Sequence, residues 1–294
     1  MSNLKITFIG LGKMGTAIAH RLLQNNFELT VYNRTTSKMQ PLVAAGAHGV
    51  NSLQDAVKNA DIVITCVLDD KAILEIVDGE KGILKTLKPG SIHIGTSTIM
   101  PATSKRLMEL HQNRGTTYLA GNVLGVPKAA EKGALTTIVA GDSTAINKCT
   151  EIFNAYSTKI IKAGEHPYQA NVMKICINYF LVTAIEAMGE LYTFAEKSDL
   201  NTEILAEFFH EVYAHSAFKL YIDKIKERNF DANFELSGGF KDINLFQQAF
   251  TDVFVTPDIA NVVKNKFTIA MAKGMSKQDW SAITEITRIQ AGLD

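Results

Sequence analysis

The chain reads as a mostly parallel α/β domain followed by an all-helical domain. Short β-branched runs alternate with amphipathic stretches up to about Ala163, a glycine-rich turn joins the first run to the first amphipathic stretch, and the strand pattern ceases after Gly164. With 294 residues, 46% of them hydrophobic, the chain is long enough for two domains with their own cores, expected at residues 1–163 and 164–294.

The expected strands are LKITFI, FELTVY, DIVITCV, SIHIGT, TTIVA and KIIK, each rich in the residues that suit a pleated, buried surface. Between them TAIAHRLLQN, SKMQPLVAAG, SLQDAVKNA and PATSKRLMELHQNRG have helical spacing. LKPGS supplies a Pro-Gly turn before the fourth strand. Strands that alternate with helices imply parallel pairing under helices on both faces. Beyond Gly164, YQANVMKICINYFLVTAIEAMGELYTFAEK predicts one helix of about 45 Å, apolar nearly all round for two-thirds of its length and therefore expected to be buried. Further helical pattern runs from Thr202 to the end, with breaks expected at SGGF and VTPD. Six phenylalanines from Phe230 to Phe254 read as helical core.

Gly10, Gly12 and Gly15 lie between the first strand and the first helix, in the G-x-G-x-x-G spacing. In that context the first glycine permits the tight turn, the second lets a pyrophosphate approach the backbone, and the third allows close helix–strand packing; the helix N-terminus offers N–H donors. The second strand then ends in VYNRTTSK. An NAD site normally places Asp or Glu here for the ribose 2′-hydroxyl, whereas this chain has Asn33, Arg34 and Thr35. A guanidinium with hydroxyl donors and no carboxylate suits a 2′-phosphate, so the expected cofactor is NADP(H).

IGLGKMG, YNRT, GTSTIMP and a lysine–asparagine pair early in a long helix resemble the β-hydroxyacid dehydrogenase family. That family includes 3-hydroxyisobutyrate dehydrogenases and the glyoxylate and succinic semialdehyde reductases, with 6-phosphogluconate dehydrogenase a more distant relative. The resemblance extends over almost the whole chain. It implies an N-terminal Rossmann domain, an all-α C-terminal domain, an active site in the cleft between them, and a homodimer. It also implies that Gly10, Leu11, Gly12, Lys13, Met14 and Gly15 meet the dinucleotide through backbone, with Asn33, Arg34 and Thr35 at the adenosine phosphate. Val67, Leu68 and Thr98 would line the cofactor farther along, and Lys241 would reach it from the second domain with Asp242 in support. Lys174 matches the catalytic lysine and Asn178 the asparagine one turn later, on the same helix face. A lysine on an apolar helix must find a partner or a cleft, and burial lowers its pKa from about 10.4 toward the range useful for proton transfer.

Two stretches depart from the family pattern. The approach to Lys174 is GEHPYQANVMK, in which Pro167 and Gln169 bring stiffness or bulk where glycines are usual. The substrate loop, usually Asp-x-Pro-Val-Ser-Gly-Gly, reads AGNVLGV here: Ala120, Asn122, Leu124 and Val126 replace the usual residues, while Val123 and Gly125 remain. Loss of the serine at Leu124 removes a donor to a substrate carboxylate. Asn122, Leu124, Gly125, Phe240 and Asp242 are the expected substrate contacts, and Asn122 or Lys128 the candidate substitute donors.

Other classes are disfavoured. Thirty basic and thirty acidic residues leave formal net charge zero, with no footprint for nucleic acid. Lys174 and Glu186 interrupt the longest apolar stretch, which speaks against a membrane span, and Lys5 to Ile9 already reads as core, so a cytoplasmic protein without a leader is expected. Cys66 and Cys176 read as buried thiols rather than a disulfide framework, with Cys149 remote from both. His210 and His215, five apart, do not share a helix face, so no zinc pair and no metal is expected. The reading is an NADP(H)-dependent oxidoreductase acting on a small aldehyde, ketone or β-hydroxy acid. The alternatives are an imine reductase-like enzyme, disfavoured by Lys174, and a non-catalytic dinucleotide-binding protein.

Overall fold

The computed structural model describes residues 4–212, 216–252, 254 and 256–293. The backbone divides into two compact units, Met1–Lys174 and Ile175–Asp294.

The first unit is built on one eight-stranded sheet. Its strands are β1 (Ile6–Ile9), β2 (Leu29–Tyr32), β3 (His48–Gly49), β4 (Ile62–Thr65), β5 (Ile92–Gly95), β6 (Thr117–Leu124), β7 (Leu135–Ala140) and β8 (Ser157–Gly164). Their spatial order is β3-β2-β1-β4-β5-β6-β7-β8. Every pairing is parallel except β6 with β7. β1 and β4 are buried along their whole length, as strands covered on both faces must be. One core joins β1, β2 and β6 to the helix Lys13–Gln24, with Phe8, Ile18, Leu22 and Tyr156 fully buried; a second lies across the sheet around Ile9, Val63, Ile73 and Leu107.

The sequence reading lacks β3 and β6. β3 has only two residues, and β6 contains Gly121 and Asn122, which weaken a strand pattern. The substrate loop is therefore, up to Leu124, a buried strand. The sheet edges differ: β3 is short, and β8 exposes Thr158, Lys159 and Lys162.

The helix Tyr168–Lys197 spans the expected 30 residues. Its expected burial is corrected on one side, where Val172, Cys176, Phe180, Ala187 and Leu191 are exposed; these positions recur along one face of the helix. Cys176 is thus a surface thiol, while Cys149 is buried with its pKa pushed up to about 12 by desolvation. By length and composition alone this helix could cross a bilayer, a property it shares with core helices of globular proteins.

In the second unit, SGGF does not break a helix. It forms the first turn of Leu236–Thr251, because a side chain at Gly238 would meet the Phe234 ring and one at Gly239 would meet Phe267 and Trp280. VTPD does separate helices, with Asp258–Ala272 beginning after Pro257. Phe246 and Phe267 are buried core, and the Trp280 indole donates to Tyr221 Oη at 2.7 Å. Phe254 is 99% exposed, which corrects its assignment to the core.

Candidate active site

The glycine turn is shaped by its neighbours. Gly10 adopts φ +96°, and a Cβ there would overlap the Cys66 carbonyl oxygen; a Cβ on Gly15 would overlap the Gly10 carbonyl oxygen. Gly12 differs, since a Cβ there would meet nothing within 4 Å. It caps the helix Lys13–Gln24, whose N-terminus has no side-chain cap and no acidic residue in its first turn. Open space and uncapped N–H groups beside a bare glycine fit a dinucleotide pyrophosphate.

Asn33 has a local task. Its Oδ1 accepts the Leu11 N–H at 2.9 Å and its Nδ2 donates to the Thr35 carbonyl at 2.9 Å, so it ties the glycine turn to the chain after β2. Arg34, Thr35, Thr36, Ser37 and Lys38 are all exposed. Lys38 is a second cation there, which the sequence reading does not single out.

Three strand-end segments come together beside this turn. After β4, the Val67 N–H donates to Ser97 Oγ at 2.9 Å and Leu68 is 69% exposed. After β5, Thr96 Oγ1 donates to the Thr65 carbonyl at 2.8 Å, and Thr98 is half-buried. On β6, Asn122 is fully buried and its Nδ2 donates to the Ser97 carbonyl at 2.8 Å. Leu124 is half-buried and Gly125 exposed, with φ +129°. Ser97 is the residue that sequence reasoning misses: within TST it offers no signal that sets it apart from Thr98.

The entry to the long helix is fixed by Gln169. Its Oε1 accepts the His166 N–H at 2.9 Å, the reach-back half of a capping box, and its amide lies against the Gly164 Cα, where a Cβ would clash. His166 stacks on Tyr168, with Lys105 Nζ 4.6 Å from the centre of the Tyr168 ring. Asn171, one turn before Lys174, is fully buried. Lys174 is half-buried.

In the second unit Asp242, 2% exposed, holds two neighbours: Lys241 Nζ at 2.7 Å from its Oδ1 and Asn178 Nδ2 at 3.4 Å from its Oδ2. Phe240 is half-buried one residue before Lys241. A separate cavity of about 560 Å³ in this unit is lined by Tyr192, Glu196, Lys226, Arg228 and Arg288, and contains none of the expected site residues. Its cations are paired: Arg288 with Glu196, Arg228 with Glu285, and Lys226 with Glu203. His210 bonds Asp223 at 2.7 Å, while His215 lies outside the described residues. Among the described residues no group of three or more His, Cys, Asp or Glu could hold a metal ion.

Two family models match the chain in sequence order. Residues 5–164 match the NAD binding domain of 6-phosphogluconate dehydrogenase, and residues 169–287 match the NAD-binding domain of NADP-dependent 3-hydroxyisobutyrate dehydrogenase. The chain belongs to the β-hydroxyacid dehydrogenase family. An uncharacterized oxidoreductase of Bacillus subtilis, YfjR, is 37% identical over 95% of this chain and 98% of its own length. An NAD-dependent L-serine dehydrogenase of Pseudomonas aeruginosa is 28% identical over 96% of this chain and 97% of its own. The fold matches a 3-hydroxyisobutyrate dehydrogenase of Mycobacterium tuberculosis, solved with L-serine, at a TM-score of 0.87 and 21% identity, covering 97% of this chain and 99% of the other. As a member of this dehydrogenase family, the protein is an NAD(P)-dependent oxidoreductase.

Proposed function

We propose that the protein is an NADP(H)-dependent oxidoreductase that interconverts a small aldehyde or ketone, or the carbonyl form of a β-hydroxy acid, with its alcohol. The observation that carries the cofactor choice is the exposed run Arg34–Lys38: two cations and three hydroxyls follow β2, and no Asp or Glu stands between Leu29 and Gly46. An NADPH 2′-phosphate would gain charge-assisted bonds there and meet no like charge.

When bound, the dinucleotide supplies or accepts the hydride. The Lys174 ammonium then donates a proton to the carbonyl oxygen, or its amine accepts one in the reverse direction. Asn178, one turn on, orients the oxygen and is itself held by Asp242, which also braces Lys241. Leu124, at the end of β6, offers an apolar wall. The exposed stripe on the long helix supports a homodimer, and the reading is of a cytoplasmic enzyme with small-molecule partners rather than nucleic acid or membrane.

The test is binding and turnover together. NADPH should bind more tightly than NADH, and Arg34→Ala should weaken NADPH about tenfold to a hundredfold while barely changing NADH, as expected for loss of about 1.5–3 kcal/mol from a bond to a charged group. Lys174→Ala should keep cofactor affinity and lower kcat by about 10²–10⁴ on a panel of aldehydes, keto acids and cyclic imines. Equal losses of both cofactors in Arg34→Ala, or full turnover without Lys174, would overturn this reading.

A further inference from the structure

The Asn122 amide has an unusual balance of contacts. It is fully buried on β6, two residues past Ala120, the last residue of β6 paired with β5. Its Nδ2 donates to the Ser97 carbonyl, but its Oδ1 is buried with no partner among the described residues. Reversing the amide would set two carbonyl oxygens against each other, so the donor assignment follows from chemistry. Stability alone gives little reason for this residue, because the cost of a buried unpaired acceptor offsets what the single bond contributes.

The bond does, however, complete a chain. Asn122 holds the Ser97 carbonyl, the Ser97 hydroxyl accepts the Val67 N–H, and Thr96 is tied to the Thr65 carbonyl. Through Ser97, the strand that leads to Leu124 and Gly125 is joined to both segments expected to line the cofactor, Val67–Leu68 and Thr96–Thr98. We infer that Asn122 is a positioning residue that sets the cofactor-lining segments after β4 and β5 in register with the substrate end of β6, acting through Ser97 and not by touching substrate. This deepens the reading of the site as a dinucleotide-dependent reductase and rests on it. It also alters one expectation: the Asn122 donor is committed to the protein and is not a substitute for the absent loop serine.

Asn122→Asp in the full-length protein keeps the shape, but an ionised carboxylate cannot donate to the Ser97 carbonyl, whereas the neutral acid can. NADPH affinity of this variant, measured by fluorescence titration across pH, should show a new ionisation absent from wild type. Binding should be near normal on the acid side and about tenfold weaker on the alkaline side. With the carboxylate ionised, kcat should fall more than KM for the carbonyl substrate rises, because the substrate groups themselves are intact. Ser97→Ala breaks the other half of the chain and should weaken NADPH similarly with no new ionisation, which keeps the inference testable if the aspartate variant does not fold. If both variants bind NADPH and turn over as wild type does while only their melting temperatures fall, Asn122 is structural and the inference fails although the reductase reading stands. If the wild type binds neither NADPH nor NADH, the functional reading itself fails and takes the inference with it.

Discussion

Single positions separate folding from binding in the glycine turn. Gly15→Ala should misfold or lose several degrees of melting temperature, because its Cβ would overlap the Gly10 carbonyl. Gly12→Ala should melt as wild type does, since its Cβ meets nothing, yet lose NADPH affinity by at least tenfold in a fluorescence titration because the methyl fills the approach to the helix N-terminus. The motif was legible in the sequence, but the division of labour was not, because it depends on which backbone carbonyls close in: that of Gly10 on Gly15, and that of Cys66, more than fifty residues away, on Gly10. Leu124 gives a second residue-level expectation. With no hydroxyl there, uncharged carbonyls should exceed 3-hydroxyisobutyrate-type acids in kcat/KM by one to two decades, matching a missing donor worth about 1–3 kcal/mol, and Leu124→Ser should improve the acids specifically. If the wild type already prefers the acids and Leu124→Ser changes nothing, the exposed Lys128 is the substitute donor.

Among the elements, the long helix was the most legible and its attachment the least. Thirty residues of helical spacing without a Pro fix its length, but the role of Gln169 appears only when the chain turns back on Gly164. The residue that reads in sequence as bulk in place of flexibility is a cap. Gln169→Ala should therefore destabilise by about 0.5–2 kcal/mol, the usual cost of losing a helix cap, read as an earlier urea midpoint with an unchanged slope. β6 shows the opposite failure. Its glycine and asparagine look like loop in isolation, and only pairing with β7 makes them strand.

The whole molecule contains a feature that no local pattern announces. His93 Nε2 and Thr65 Oγ1 lie 2.9 Å apart, His93 Nδ1 and His111 Nε2 also 2.9 Å, and His111 Nδ1 and Thr116 Oγ1 2.8 Å, all buried between β4, β5 and the helix Pro101–Gln112. Burial, and for His93 also its neighbour His111, pushes both imidazoles down, His111 to about 3 from an ordinary 6.5. Unfolded, they bind protons near 6.5; folded, they do not until far lower, so stability is fully present above 6.5 and is lost as pH falls toward 3. The carboxylates held below their ordinary values, Asp55, Asp61 and Glu196, act below about 4.5, which leaves the interval from 6.5 to 4.5 to the histidines. Thermal melts should fall steeply across that interval, and His111→Gln should lower the melting temperature at pH 8 while flattening the slope. Near neutrality a different hazard arises, because formal net charge is zero and the isoelectric point about 7.1, so copies of the chain do not repel one another at long range. An open sheet edge then becomes a template on which a second copy can add its own strand. β3 is too short to serve as one. β8 is long enough, and its exposed lysines, Lys159 and Lys162, together with two register irregularities against β7, set charge and an interrupted ladder against such growth.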